Sequence, residues 1–156
     1  MSASRIDYPV FKNIASGVTA GLTTMGQAIS GSGLEKGLIE LLKVRASQIN
    51  NCAFCVQFHL TQARAAQLSP TKLDLVAVWR EAGVYAPREI AALAWTEALT
   101  RVATVEPEES VYANLQAEFS ENEIAHLTAA IGHINAWNRI AAGLRFTPII
   151  SVGTSS

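Results

Sequence analysis

The chain of 156 residues is predicted to be all-α: one domain over residues 1–156, built from about six to seven helices. Three observations lead there. Nearly every long segment carries apolar residues three or four apart, the period of one helix face. No Asn-Gly or Asp-Gly turn joins alternating runs in the way that marks hairpins. No internal repeat, low-complexity tract or Gly/Ser linker divides the chain, and only Met1 to Arg5 and Val152 to Ser156 read as small polar ends. The length suits one well-buried domain, since domains commonly run to about 100–150 residues.

The first helix is expected over Tyr8 to Ile29, ending at the Gly31-Ser32-Gly33 break, with helix-weakening glycines at 17, 21 and 26. A second, Leu34 to Gln48, places Leu38, Leu41, Leu42 and Arg45 at three- and four-residue spacings. Asn50 and Asn51, both good N-caps, then open a third helix from near Cys52 to Gln67. Ser69-Pro70 reads as a cap and a first-turn proline for a helix through Trp79 to Glu81, stopped by Gly83. Pro87 opens the next, to about Thr100, and Pro107 a short one to about Phe119. Ser120-Glu121-Asn122-Glu123 has capping-box spacing and starts the last helix, Glu121 to about Gly143, with Ile124, Leu127, Ile131, Ile134 and Trp137 along one face. Pro148 lies beyond it, and Phe146, Ile149 and Ile150 form an apolar tail that packs either on the core or on another subunit.

A composition of 49% hydrophobic and 16% charged residues leaves less surface charge than the roughly 25% of an average soluble domain. Apolar area in excess of what a small monomer covers is covered by a partner copy, so a homo-oligomer is expected; an Ala-rich helical core is the simpler alternative. A net charge of −1 and the lack of any Lys/Arg cluster argue against nucleic acid as a partner. Met1 to Val18 has no basic segment followed by a long apolar run, and no stretch approaches the 18 or more apolar residues of a membrane span. The expectation is a soluble, cytoplasmic protein with no membrane association. In a reducing cytosol, two cysteines three apart are catalytic or metal-binding rather than a structural staple.

On a helix, Cys52, Cys55 and His59 fall on one side. Positions i and i+3 lie about 5 Å apart, within disulfide range, so the two sulfurs can bond reversibly. A thiolate is the nucleophile, and a free cysteine with pKa near 8.5 is only slightly ionised at neutral pH. The helix N-terminus, the second thiol and an imidazole one turn away can each favour the thiolate; a two-unit shift needs about 2.7 kcal/mol. Zinc binding competes with this reading, but a structural zinc site wants four ligands and the chain has no second CxxC. The remaining alternative is two buried cysteines and a histidine with no shared role. Glu40, between Ile39 and Leu41, reads alone as a solvated glutamate; beside the dithiol and His59 it would accept a proton or orient the imidazole.

The run from Glu40 through Lys43-Val44-Arg45-Ala46-Ser47 to Cys52-Ala53-Phe54-Cys55 and His59 resembles the core of the alkylhydroperoxidase AhpD-like proteins of the carboxymuconolactone decarboxylase superfamily. Trp79-Arg80-Glu81-Ala82, Pro87-Arg88-Glu89 with Ala94-Trp95, and Ile134-Asn135-Ala136-Trp137-Asn138-Arg139 extend the resemblance from about Leu34 to Leu144. It implies an all-α oligomer, trimer or hexamer, that reduces hydrogen peroxide or organic hydroperoxides with no bound cofactor or metal. Cys55, nearer His59, would attack the peroxide and Cys52 would resolve the sulfenic acid; thioredoxin-type CxxC sites use the first cysteine instead. Glu40 and His59 would relay protons, and an external dithiol, such as a dihydrolipoyl group on a partner protein, would reset the enzyme. Some relatives carry a second histidine where this chain has Phe54. A general thiol–disulfide oxidoreductase and a non-catalytic redox-sensing module are the other readings, while a lactone decarboxylase would not depend on a CxxC.

His126 and His133, seven apart, share one side of the last helix and are read as more often buried and hydrogen-bonded than functional. Trp137-Asn138-Arg139 would line the peroxide pocket or brace the dithiol helix, against the simpler readings of Trp137 as core and Arg139 as paired with an acid.

Overall fold

A computed structural model of the chain describes residues 3–150; the polar end at 152–156, and Met1 and Ser2 of the other, lie outside the described residues. Among those described there are nine α-helices, one 3-10 turn and no strand: α1 (Tyr8–Ile14), α2 (Ser16–Ser30), α3 (Lys36–Ile49), α4 (Ala53–Ala65), α5 (Pro70–Leu75), the turn Val76–Val78, α6 (Trp79–Ala82), α7 (Pro87–Thr100), α8 (Glu109–Glu118) and α9 (Glu121–Leu144). The all-α expectation holds. Among the described residues no helix is long and apolar enough to cross a membrane.

The helix α3 is the hub. A helix apolar on nearly every side must be buried on nearly every side, and Leu38 through Val44 are all buried, with Glu40 and Lys43 carried inside among them. α4, α7 and α9 pack around it. Leu38, Ile39 and Leu42 join Ile29, Trp95, Leu115, Leu127 and Ile131 in one core cluster; Leu41 and Val44 join Val76, Trp79 and Leu93 in another. A third cluster, Phe11, Phe54, Phe146 and Ala141 with the two cysteines, seals the N-terminal end of α4.

Two expected helices are broken. The first divides at Ala15, whose backbone leaves the helical region at φ −115°, ψ 43°. α1 lays Tyr8 and Phe11 against Phe54, Phe146 and Trp137, whereas α2 packs along α9; one straight helix cannot follow both. The fourth expected helix becomes α5, the 3-10 turn and α6, because Leu75 and Val78 leave helical geometry in a stretch where β-branched Val76 and Val78 weaken the helix. Ser69 makes no side-chain cap there. Gly83 stops α6 at φ 65°, as the sequence indicates, and α8 begins at Glu109, two residues after Pro107. The Ser120–Glu123 capping box forms in full. Of the apolar tail, Phe146 folds back into the core while Ile149 and Ile150 are exposed.

Candidate active site

The turn between α3 and α4 sets the dithiol. Asn51 adopts φ 52°, a left-handed conformation that Asn tolerates better than most side chains. The Cys52 amide then donates back to the Ser47 carbonyl at 3.0 Å. α9 pins this turn: Asn50 Nδ2 donates to Asn135 Oδ1 (2.9 Å) and Asn138 Oδ1 (2.8 Å), and fully buried Asn138 donates from Nδ2 to Ser47 Oγ (3.0 Å). Of the segment Trp137-Asn138-Arg139 that the sequence offered as a brace of the dithiol helix, Asn138 does the bracing; Asn135 was not given that role in the sequence.

Cys52 is the N-cap of α4 rather than its first residue, with extended backbone at φ −95°, ψ 91°, and its Sγ accepts the Cys55 amide N–H at 3.3 Å. The expectation of one shared helical face therefore holds for Cys55 and His59 and fails for Cys52, which lies before the first turn. The cap geometry still brings the Cα atoms to 5.3 Å, and the two sulfurs are joined in a disulfide. Cys55, in the first turn of a 13-residue helix, sits among the unpaired N–H groups and positive dipole end that favour a thiolate.

One turn beyond Cys55, His59 Nδ1 meets Glu40 Oε2 at 2.7 Å, and Lys43 Nζ donates to Glu40 Oε1 at 3.2 Å. All three side chains are buried. Burial alone would raise the Glu40 pKa, but the His59 hydrogen bond and the Lys43 charge outweigh it and hold the carboxyl below its ordinary range. Burial pushes the His59 imidazole down, more than Glu40 raises it. At neutral pH the pair is thus a carboxylate and a neutral imidazole, with the proton of the shared bond on Nδ1. The lone pair is left on Nε2, which has no partner among the described residues.

Cys52 and Cys55 open on different cavities. Cys55, His59, Glu40 and Lys43 line one of about 430 Å³, whose other walls include Tyr8, Phe54, Phe58 and Trp137. Cys52 lines another of about 530 Å³ with Ser47, Gln48, Gln57 and Arg64. The two share no lining residue, and α4 presents opposite faces to them. Phe54 stacks on Phe58, meets Phe146 edge-on and lies tilted against Tyr8, which makes its side of the cavity aromatic.

Trp137 lines the Cys55 cavity, its indole nitrogen 3.2 Å from His133 Nε2. His133 Nε2 is also 2.8 Å from the Leu22 carbonyl of α2; the contact is close because a Cβ on Gly26 would stand 3.2 Å from the imidazole. His126 faces solvent and bonds the carbonyl of Asn122 in its own helix, so the two histidines do not come together. Arg139 bonds Asn135, not an acid, contrary to expectation. No group of three or more His, Cys, Asp or Glu side chains is placed to hold a metal among the described residues.

Sequence reading also passed over Glu97, which is buried and accepts from Arg45, Arg80 and the Trp79 indole. Burial opposes its charge, but these donors lower its pKa to about 2. The signal was there: like Glu40, Glu97 stands in an apolar stretch, Ala94-Trp95-Thr96-Glu97-Ala98-Leu99.

Residues 17–98 match the model of the carboxymuconolactone decarboxylase family. The uncharacterised protein YdfG of Bacillus subtilis is 31% identical over 113 residues, which cover 72% of this chain and 77% of that protein. A crystal structure from Agrobacterium tumefaciens, described as a protein of unknown function and a candidate antioxidant defence protein AhpD, superposes with a TM-score of 0.90 at 38% identity, over 96% of this chain and all of that one. The apo structure of the debrominase Bmp8 shares the fold at 16% identity, with a TM-score of 0.80 over 89% of this chain and 75% of that one. The chain belongs to the carboxymuconolactone decarboxylase family and is AhpD-like within it.

Proposed function

We propose that the protein is a thiol-dependent peroxidase that reduces hydrogen peroxide or organic hydroperoxides through a Cys52–Cys55 dithiol/disulfide cycle. The observation that carries this reading is the chain of contacts from Cys55's cavity into the protein: His59 Nε2 unpartnered, His59 Nδ1 on Glu40, Glu40 on Lys43. A neutral imidazole anchored on a buried carboxylate is a general base with a fixed tautomer. The description of the Agrobacterium protein as a candidate antioxidant defence protein supports the same reading.

In the reduced protein His59 Nε2 takes the Cys55 proton. The Cys55 thiolate attacks the terminal peroxide oxygen, forming an S–O bond as the O–O bond breaks; cysteine becomes sulfenic acid and the peroxide becomes an alcohol or water. Cys52 then attacks the sulfenic sulfur, expelling water and forming the disulfide. An external dithiol, a dihydrolipoyl group by our reading, attacks the disulfide and restores both thiols. Cys55 is assigned the first attack because it, and not Cys52, shares a cavity with the relay. The peroxidase works as a homo-oligomer, trimer or hexamer, in the cytoplasm, with no resident cofactor.

Hydroperoxide consumption with a supplied dithiol tests this directly. Wild type turns over; Cys55→Ser and Cys52→Ser do not. Cys52→Ser still reacts once and accumulates a sulfenic acid that a dimedone-type probe labels at Cys55. A wild type that exchanges disulfides with the dithiol and consumes no hydroperoxide would establish the general oxidoreductase instead.

A further inference from the structure

The proposed cycle leaves one buried group without a task. Lys43 is over nine-tenths buried and lines the Cys55 cavity, one turn after Glu40 on α3. An ammonium has three N–H donors, and Lys43 makes a single hydrogen bond to protein among the described residues, to Glu40 Oε1 at 3.2 Å. Leaving two donors of a buried cation unsatisfied is costly, so a site that keeps such a group exposes it to something that accepts. Both Glu40 oxygens are engaged, one by Lys43 and one by His59. The other lining side chains that can accept, Tyr8, Thr23, Ser30 and Gln62 among them, do not bond Lys43 among the described residues, so its open donors are left to what enters the cavity, the substrate included.

We propose that Lys43 is a catalytic residue whose free N–H donors bind the leaving oxygen of the hydroperoxide and protonate it; this rests on the peroxidase reading above. When the Cys55 thiolate attacks the terminal oxygen, the O–O electron pair stays on the inner oxygen as an alkoxide, RO⁻. Lys43 gives a proton to the alkoxide, releasing ROH, and its neutral amine recovers one from His59, which took it from the Cys55 thiol, with Glu40 between the two. The balance is Cys–SH + ROOH giving Cys–SOH + ROH. Stabilising charge that develops only in the transition state is where one donor contributes most, roughly 10²–10³-fold in rate.

The test compares two oxidants in single turnovers of fully reduced protein. tert-Butyl hydroperoxide leaves as a strongly basic alkoxide and needs the proton; peracetic acid leaves as acetate and does not. Lys43→Met is expected to lose roughly 10²-fold with tert-butyl hydroperoxide and little with peracetic acid. Any effect of Lys43 on the thiolate population or on folding changes both rates alike and cancels in their ratio. Equal losses with the two oxidants overturn the proposal. Wild type supplies a second measurement that does not depend on the variant folding: its rate ratio between the oxidants should be far smaller than that of a small-molecule thiolate in the same buffer, and an equal ratio likewise overturns Lys43's role. A reduced wild type that consumes neither hydrogen peroxide nor tert-butyl hydroperoxide overturns the underlying peroxidase reading itself.

Discussion

Replacing Glu40 by Gln preserves the size of the side chain that holds His59 and removes its charge. The imidazolium loses its only carboxylate partner, so the His59 pKa, already below 6.5 through burial, falls further. Turnover is expected to drop about 10²-fold, the usual scale for a disturbed general base, and the acid limb of the kcat/KM–pH profile to move to lower pH. In wild type that limb lies below pH 6.5, since His59 must be neutral to accept the thiol proton. Stability has the same direction of pH dependence for both groups. The lowered Glu40 pKa contributes stability that is present above about 4.5 and is lost as pH falls through its folded value; the folded state also resists protonating His59, so stability declines as pH drops below 6.5. Urea midpoints measured between pH 7 and pH 4 should fall throughout, and between pH 6.5 and about 4.5 by more in Glu40→Gln, where the folded state resists the imidazolium without its carboxylate. At this scale the sequence was informative where chemistry depends on residue type at close spacing, as for Cys55 and His59. It said nothing of Lys43, because whether a lysine beside a glutamate is solvated or buried depends on what packs over it.

Helix junctions carry the precision of the site. Asn51 is left-handed, so Asn51→Val is expected to cost about 1–3 kcal/mol of strain while Asn51→Gly is tolerated; denaturant midpoints check both. Asn138→Ala removes the partner of Asn50 and of Ser47 at the same turn, and each buried group left unpaired costs about 1–3 kcal/mol. Its reduced form should also react more slowly, as Cys52 and Cys55 lose their register. Elsewhere, Glu97 ties α3, α6 and α7 through Arg45, Arg80 and Trp79. Glu97→Ala leaves the largely buried Arg45 without its anion and is expected to lower stability by about 3–5 kcal/mol, visible as a drop in the urea midpoint with an unchanged slope. Helix ends written in local chemistry were readable: the Ser120–Glu123 box and the Gly83 stop sit where the sequence puts them. The breaks at Ala15 and around Val76–Val78 were not, because they are imposed by two neighbours pulling one segment in different directions.

For the whole molecule, the all-α fold followed from periodicity alone, because seven amphipathic stretches without a hairpin signal leave little else to build. How those stretches pack was not legible: α3 was read as an ordinary amphipathic helix and proves to be the buried centre. Its neighbours at the N-terminus are the opposite, for Val10, Ile14, Val18 and Met25 of α1 and α2 remain exposed in the isolated chain. Sedimentation equilibrium is expected to report a mass well above that of one chain, falling toward the monomer when Val18 and Met25 are both replaced by Glu.

The disulfide stands as a partition, with one cysteine lining each of two cavities that share no lining residue. An enzyme whose oxidant and reductant share one mouth is inhibited when either is in excess, since each occupies the other's place. Here the two half-reactions meet different walls of the same bond. Initial-rate plots should therefore give parallel lines whose slope, the inverse of kcat/KM for the hydroperoxide, stays constant even in excess dithiol, and filling the chamber around Arg64 with a Gln57→Trp substitution should slow reduction of the disulfide while the oxidation of Cys55 keeps its speed.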